Sequence, residues 1–218
     1  MEPPTYLAKL YPHERDTRIQ FDEGPHIYTI DGSSAGYVSV TTFNHANFEH
    51  FDADAIIKKM MSSNRWPQNK YYGQTPDEIK AGWEKNRDEA ANAGTKMHYD
   101  IECYYNECPN ENLSIEYEYF KNFLKAFPEL KPYRTEWTVF HEDLKLAGSI
   151  DMVFENPDGS LLIYDWKRSK EIVKTNGFNK WGQKECIDHL PDTNYWHYCL
   201  QLNTCLLYTS PSPRDVEE

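Results

Sequence analysis

Long apolar runs are missing from this chain: no stretch approaches the ~18 consecutive apolar residues of a membrane-spanning helix, so we expect no spanning segment. Met1-Glu2-Pro3-Pro4 lacks the basic and apolar regions of a signal peptide, and we expect none. Cysteine is scarce as well, and its five positions are odd in number and irregularly spaced. Reduced thiols and an intracellular, reducing compartment are therefore expected.

Positive charge is also in short supply. The chain has 23 Lys and Arg against 35 Asp and Glu, a net charge of −12, which disfavours broad binding to nucleic acid. The distribution is uneven, however: residues 164–184 hold six Lys or Arg against two acids, whereas residues 100–118 hold six acids and no Lys or Arg. A positive field focused at one groove can matter more than the total charge. The alternative is that residues 164–184 form an ordinary solvated loop.

What the chain does contain is apolar and aromatic residues, 39% and 15% of 218, enough for one domain with a sizeable core. Alternating apolar residues and turn residues predict a hairpin over 19–30, and residues 1–18 show so little periodicity that we expect a loosely held arm. Thr75-Pro76-Asp77-Glu78 is a helix-start signal, because Thr caps and Pro suits the first helical position. Further elements are predicted as helices over 55–61, 76–105 (with or without a break near Gly94), 114–127 and 194–207, and strands over 37–40, 133–141, 145–154 and 161–167.

This order of elements favours an α/β (α+β) fold in which helices flank a central sheet. The sheet should be mixed, because its hairpins are antiparallel.

The most informative residues are Asp151 and the Asp165-Trp166-Lys167 segment fourteen residues later. Asn156-Pro157-Asp158-Gly159-Ser160 between them is a turn, so a hairpin can bring Asp151 beside Asp165. Side chains alternate along a strand, so Asp165 and Lys167 should share one face and Trp166 should point to the other. Two converging carboxylates suit a hard divalent ion such as Mg²⁺, and a nearby lysine can orient a water or stabilise charge on a phosphate.

This arrangement resembles the PD-(D/E)XK nuclease superfamily, whose core reads Asp, a hairpin, then Asp/Glu-x-Lys. Two further motifs make it similar to the RecB-type exonuclease branch. Gly94-Thr95-Lys96-Met97-His98 matches the upstream Gly-Thr-x-x-His helix motif, and Gln201 matches the start of the downstream Gln-x-x-x-Tyr motif, whose Tyr is replaced here by Cys205. Within that branch the chain resembles mitochondrial genome-maintenance exonucleases and their viral and phage relatives.

The resemblance implies a restriction-endonuclease-like core with an N-terminal β-hairpin and helical extension. It also implies one or two Mg²⁺ or Mn²⁺ ions. Catalysis would involve Asp151, Asp165, Lys167 and His98, with a nitrogen ligand favouring Mn²⁺ somewhat. The expected metal ligands are His98, Asp151, Asp165 and the carbonyl of Trp166.

Two other acids near this group each allow two interpretations. Glu102 lies one helical turn after His98, where it either holds a ligand water or second metal, or is surface charge. Glu136 lies either near the metal or in a cross-strand charge pair.

The same resemblance implies a DNA substrate, cleaved by an exonuclease that acts on single strands or ends in replication, recombination or repair. Contacts to nucleic acid are expected from Arg168, Ser169, Lys170, Gln201 and Thr95, and a motif carboxylate is the alternative partner of Gln201. We expect a monomer, and the sequence identifies no protein partner. Nucleus, mitochondrion, viral factory and bacterial cytoplasm would all suit such a protein.

Three alternatives stay open or are set aside. The first is a catalytically inactive nucleic-acid-binding protein with the same fold. The second is a docking role for residues 1–75. The third, an iron–sulfur nuclease like those of CRISPR adaptation, is not expected, because no Cys precedes His98.

The end of the chain reads differently from the rest. Tyr208-Thr209-Ser210-Pro211-Ser212-Pro213-Arg214-Asp215 places two prolines where a helix should continue, and it resembles translated sequencing-adapter sequence. We hypothesise that residues from Cys205 onward are not native; an independent clone of the gene with the same reading frame would contradict this. The expected organisation is an N-terminal arm with a β-hairpin and helix (1–75), a nuclease core (76–207) and a non-native or disordered tail (208–218).

Overall fold

The computed structural model describes residues 4–108 and 111–209. The chain divides into two compact units: the first unit comprises residues 1–49 and 97–218, and the second unit comprises residues 50–96. The domain boundary predicted after residue 75 coincides with neither of the two unit boundaries, which lie after residue 49 and after residue 96. The predicted tail lies outside the described residues from residue 210 onward.

The first unit contains a mixed four-stranded sheet built around β5. Its strands are β3 (Val38–Ser39), β4 (Lys131–His141), β5 (Leu146–Glu155) and β6 (Leu161–Tyr164). β5 pairs antiparallel with β4 along its length, antiparallel with β6 at its end and parallel with β3 at its start. A separate hairpin, β1 (Ile19–Asp22) and β2 (Ile27–Ile30), confirms the predicted turn near Gly24.

Helices flank this sheet, as expected for the mixed α and β class. In the first unit they are α1 (Tyr6–Leu10), α2 (Val40–His45), α5 (Ile115–Ala126) and α6 (Asn194–Thr209). Met152 and Phe154 of β5 pack in one hydrophobic cluster with residues of α5, and Ile150 and Val153 pack in another with Val40 and Cys205. Both clusters depend on β5, which is buried along nearly all its length.

The second unit contains α3 (Ala53–Met61) and the beginning of α4 (Pro76–Tyr105), whose residues 97–105 belong to the first unit. Asp52 caps α3 by accepting a hydrogen bond from the Ala55 N–H. Thr75 and Glu78 form the reciprocal hydrogen bonds of a capping box at the start of α4, as the sequence predicts. Helix α4 continues without a break at Gly94.

The predicted loosely held arm is wrong for the described residues 4–18. Leu7 is only 3% exposed, and its N–H donates to Asn106 Oδ1. Arg134 of β4 donates to the carbonyl of Tyr11 and to Asp16. A buried guanidinium requires an anionic partner. That partner is Asp16 of the arm, which precedes Arg134 by 118 residues in the sequence.

The strand predicted over 161–167 ends earlier, at Tyr164. The N–H of Trp166 donates to Asp151 Oδ2 at 2.8 Å, so a side chain takes the place of a ladder partner there. Helix α2 is an addition to the predicted elements: Val40 belongs to it and not to the strand predicted over 37–40, and Ser39, the last residue of β3, caps it by accepting from the Thr42 N–H. A Cβ added to Gly148 would lie 2.8 Å from Val40 Cγ2, so the close approach of α2 explains this glycine.

Within the described residues, no helix combines the length and the apolar character that a membrane span requires.

Candidate metal centre

Three side chains from three elements of the first unit converge beside β5. His98 comes from α4, Glu136 from β4 and Asp151 from β5, and one ligand atom of each lies within 4.8 Å of the others. His98 Nδ1 is 3.3 Å from Glu136 Oε1 and 3.6 Å from Asp151 Oδ2. An imidazole nitrogen and two carboxylates at this spacing form a donor set that suits a divalent ion.

The two carboxylates face each other because of the β4–β5 register. Thr135 pairs with Met152 and Trp137 with Ile150, which places Glu136 opposite Asp151. Glu136 has φ of 42°, a left-handed conformation that is unfavourable for a residue with a side chain. Its carboxylate accepts a hydrogen bond from Ser149 at 3.3 Å. Backbone strain of this kind in the middle of a strand is typical of functional sites.

The ring of His98 is held from both sides. Its Nε2 lies 2.8 Å from the carbonyl oxygen of Trp166, and since a carbonyl only accepts, Nε2 carries the proton. Nδ1 faces Glu136 and Asp151: it donates to Glu136 when the ring is protonated and offers its lone pair to an ion when the ring is neutral. The Trp166 carbonyl, predicted as a metal ligand, here orients the histidine, a common arrangement around metal-binding histidines.

Asp165 and Lys167 form a second pair next to this group. Lys167 Nζ is 2.8 Å from both Asp165 oxygens, which confirms the predicted shared face. Gln201 of α6 donates to Asp165 Oδ1 at 3.1 Å, so it contacts a motif carboxylate, one of its two predicted partners. The ring of Tyr198 lies 5.4 Å from Lys167 Nζ. Asp165 is therefore paired and is not one of the three converging ligands, although it was predicted as one.

Burial makes two acids of this region, Asp151 and Glu102, hard to ionise. Burial, followed by the charge of Asp165, raises the pKa of Asp151 to about 7. Burial, followed by the charge of Glu136, raises the pKa of Glu102 to about 7. For His98, burial opposes protonation, but the hydrogen bond to Glu136 and the charge of Asp151 outweigh it and raise its pKa. The region thus carries more buried negative charge than its own cations neutralise.

Comparison of the chain with protein-family models, with curated proteins and with solved structures finds no significant match. Its function is therefore inferred from its own residues and their geometry.

The residues predicted to contact nucleic acid fall in different places. Arg168 donates from Nε to Glu116 at 2.8 Å, and Ser169 donates to the carbonyl of Glu171. Lys170 is exposed beside them. Thr95 is an exposed residue of α4 within the second unit. Arg168 to Lys170 therefore follow directly on the metal-site segment, and Arg168 already pairs with a carboxylate.

The ring of Trp166 points away from the site, as predicted. It packs edge-on against Phe120 and Phe123, with ring centroids 5.8 and 5.1 Å away. The central position of Glu136 was only one of two readings of the sequence. The signal that favours it is the turn at 142–145: pairing His141 with Leu146 and counting back along both strands sets Glu136 against Asp151.

Proposed function

We propose that this chain is a divalent-metal-dependent nuclease with a restriction-endonuclease-like core, a member of the RecB-type branch of the PD-(D/E)XK superfamily. It hydrolyses DNA phosphodiester bonds and acts as an exonuclease on single strands or ends. The observation that carries the proposal is the convergence of His98, Glu136 and Asp151 beside the Asp165–Lys167 pair. The Asp, hairpin, Asp-x-Lys order of the sequence supports it independently.

The residues fit Mg²⁺ or Mn²⁺. Carboxylate oxygens and one imidazole nitrogen are suitable donors for such ions, and His98 Nδ1 already faces the two carboxylates. A bound divalent ion would supply the positive charge that the buried acids lack. It would also polarise a phosphate and acidify a water.

Lys167 has the position expected of a group that acts on the substrate. Its side chain is partly exposed and its ammonium group is held by Asp165. The ammonium group is therefore already oriented when a phosphate binds. Burial opposes its charge, but Asp165 and Asp151 outweigh burial and raise its pKa, so Lys167 stays protonated. It then stabilises charge that develops on the phosphate and orients a water by donating to it.

Gln201 and His98 each hold part of the Asp165–Lys167 segment in position. Gln201 donates to Asp165 and so limits the rotation of the carboxylate that holds Lys167. His98 reaches from α4 to the carbonyl of Trp166 and holds the Asp165–Lys167 segment against the sheet.

The direct test is cleavage of end-labelled single-stranded and double-stranded DNA in Mg²⁺ or Mn²⁺. We expect cleavage by the wild type and at least a hundredfold loss in Asp151→Asn and Lys167→Ala. Asp158→Asn is the matched control, because Asp158 lies in the turn of the same hairpin and bonds only locally to Ser160. The labelled products give the polarity of digestion.

Two results would contradict the proposal. Cleavage that survives Asp151→Asn would mean that the activity belongs to another site or another protein. DNA binding without cleavage in either metal would favour the inactive nucleic-acid-binding protein. Calorimetric titration with Mn²⁺ separates these cases from a failure to bind the metal.

A further inference from the structure

A groove of about 350 Å³ lies in the first unit beside the candidate metal centre. One wall is the exposed face of α5, including Ile115 and Tyr119, and the opposite wall is the segment from Trp166 to Lys170. Its volume is at the lower end of those found for small-molecule pockets and suits a single nucleotide.

The groove shares the Trp166–Lys167 segment with the metal centre. Trp166 and Lys167 line it, while the Trp166 carbonyl bonds His98 and the Lys167 ammonium bonds Asp165. Lys167 therefore belongs to both, and a strand whose phosphate lies at Lys167 can extend into this groove.

The two walls differ in chemistry. On α5, Tyr119 is 65% exposed and Ile115 is 61% exposed, so an aromatic ring and an aliphatic side chain face solvent side by side. The other wall carries the cationic side chains of Arg168 and Lys170. An aromatic platform opposite positive charge is the combination that binds single-stranded nucleic acid, since bases stack while phosphates pair.

An internal carboxylate already occupies the position of a phosphate. Arg168 Nε donates to Glu116 Oε1 at 2.8 Å, which ties the basic segment to the first turn of α5. Both residues line the groove. A phosphate entering here would compete with Glu116 for the same guanidinium group.

We propose that this groove binds the nucleotide adjacent to the scissile phosphate of a single strand, with its base on Tyr119 and its phosphate at Arg168. Glu116 acts as an internal competitor that the substrate displaces from Arg168. This inference rests on the proposed nuclease function and adds a substrate form to it: an unpaired strand, because a base inside a duplex is covered on both faces by its neighbours and cannot stack on a protein ring.

The test is the affinity of the full chain for a fluorescent oligothymidylate, measured by anisotropy with Ca²⁺ in place of Mg²⁺ and with strand integrity checked on a gel. Tyr119→Ala should weaken binding at least about fivefold, whereas Tyr119→Phe should retain it. Arg168→Ala should weaken binding and reduce the slope of log K against log salt by about 0.7. Glu116→Gln should tighten binding, because it frees Arg168.

Two exposed residues outside the groove provide controls. Tyr72 is 59% exposed and does not line the groove, so Tyr72→Ala should leave affinity unchanged. Glu118 also lies in the first turn of α5 but pairs with Lys121, so Glu118→Gln tests whether removing any acid from this helix tightens binding. Melting curves of each variant check that the fold is retained.

The outcomes separate this inference from the nuclease proposal. If the wild type cleaves DNA but Tyr119→Ala, Arg168→Ala and Glu116→Gln leave the affinity unchanged, the groove proposal is wrong and the nuclease proposal stands. A wild type that binds through the groove but does not cleave overturns the nuclease alone. A chain that binds no single strand, or equal tightening by Glu118→Gln and Glu116→Gln, overturns the groove.

Discussion

Strand β4 contributes to two partly buried groups of charged residues. They differ in whether the chain itself supplies the positive charge that balances the acids. Arg134 pairs with Asp16, which also accepts from the indole N–H of Trp137. Two residues from Arg134, Glu136 meets Asp151 and His98. Burial opposes ionisation of Asp16, but hydrogen bonds from Arg134 and Trp137 outweigh it and lower its pKa. Burial instead raises the pKa of Asp151 to about 7.

The contrast separates a structural charge from one that needs a ligand. In the first group the chain supplies both the positive and the negative charge, so their interaction offsets the cost of desolvation. In the second group the acids exceed the cations, and the balance must come from protons or from an ion.

The largest expected effect is on the balanced group. Arg134→Met leaves Asp16 with reduced compensation in a partly buried site, and we expect a loss of about 3–5 kcal/mol in the free energy of unfolding. Denaturant titration measures it. Arg18→Met is the control, since Arg18 forms exposed ion pairs with Asp31 and Glu142, and its loss should be much smaller. Equal losses of stability in the two variants would show that the buried ion pair stabilises the fold no more than the exposed pairs do.

The unbalanced group should respond in the opposite direction. Asp151→Asn removes an ionisable group that burial disfavours, while its amide oxygen can still accept from the Trp166 N–H. We expect the metal-free protein to gain roughly 2 kcal/mol at pH 8, with loss of Mn²⁺-induced stabilisation. Melting with and without Mn²⁺ measures both. A destabilised Asp151→Asn would mean that Asp151 is a structural acid like Asp16.

The same acids predict how the metal-free protein and the metal complex depend on pH. Because the folded pKa values of Asp151 and Glu102 are raised to about 7, their contribution to stability is complete below their ordinary pKa and is lost as pH rises through about 7. The metal-free protein should therefore melt lower at pH 8 than at pH 5.5.

Mn²⁺ should reverse this trend, because protons compete with the metal for the same acids. We expect its affinity to fall about tenfold per pH unit below 7 for each acid that must lose a proton. Calorimetry between pH 6 and pH 8 measures this slope, and Glu102→Gln shows how much of it belongs to Glu102. A flat profile would place the metal elsewhere.

The smallest effect concerns the backbone of Glu136. Glycine tolerates positive φ, so Glu136→Gly should raise the free energy of unfolding by about 1 kcal/mol while metal binding is lost. Lys145→Gly is the control, since Lys145 has φ of 51° at a turn. A loss of stability in Glu136→Gly alone would indicate that the carboxylate supports the fold.

Local signals in the sequence predicted most elements and part of the site. The capping residues Asp52 and Thr75 mark true helix starts, and the turn at 156–160 aligns β5 with β6. Asp165 and Lys167 contact each other, as the predicted shared face requires, although both lie beyond the end of β6. These features depend on residues close in sequence, where propensity and spacing decide the outcome.

What local signals did not predict depends on distant contacts. The unforeseen helix α2, which shortens the strand predicted over 37–40 to β3, follows from the fit of Val40 against Gly148. The early end of β6 follows from a hydrogen bond between Asp151 and the Trp166 backbone. Asp165 was expected to be a ligand, but Gln201, 36 residues further along the chain, and Lys167 hold it as a partner.

The N-terminal arm carries a consequence for how the chain folds. Asp16 and Arg134 are separated by 118 residues, and Leu7 bonds a side chain 99 residues away. Closing such long loops is slow compared with forming the local hairpins of β4, β5 and β6. During synthesis the arm emerges before β4 and has no docking surface until β4 follows, so its burial should be a late folding event.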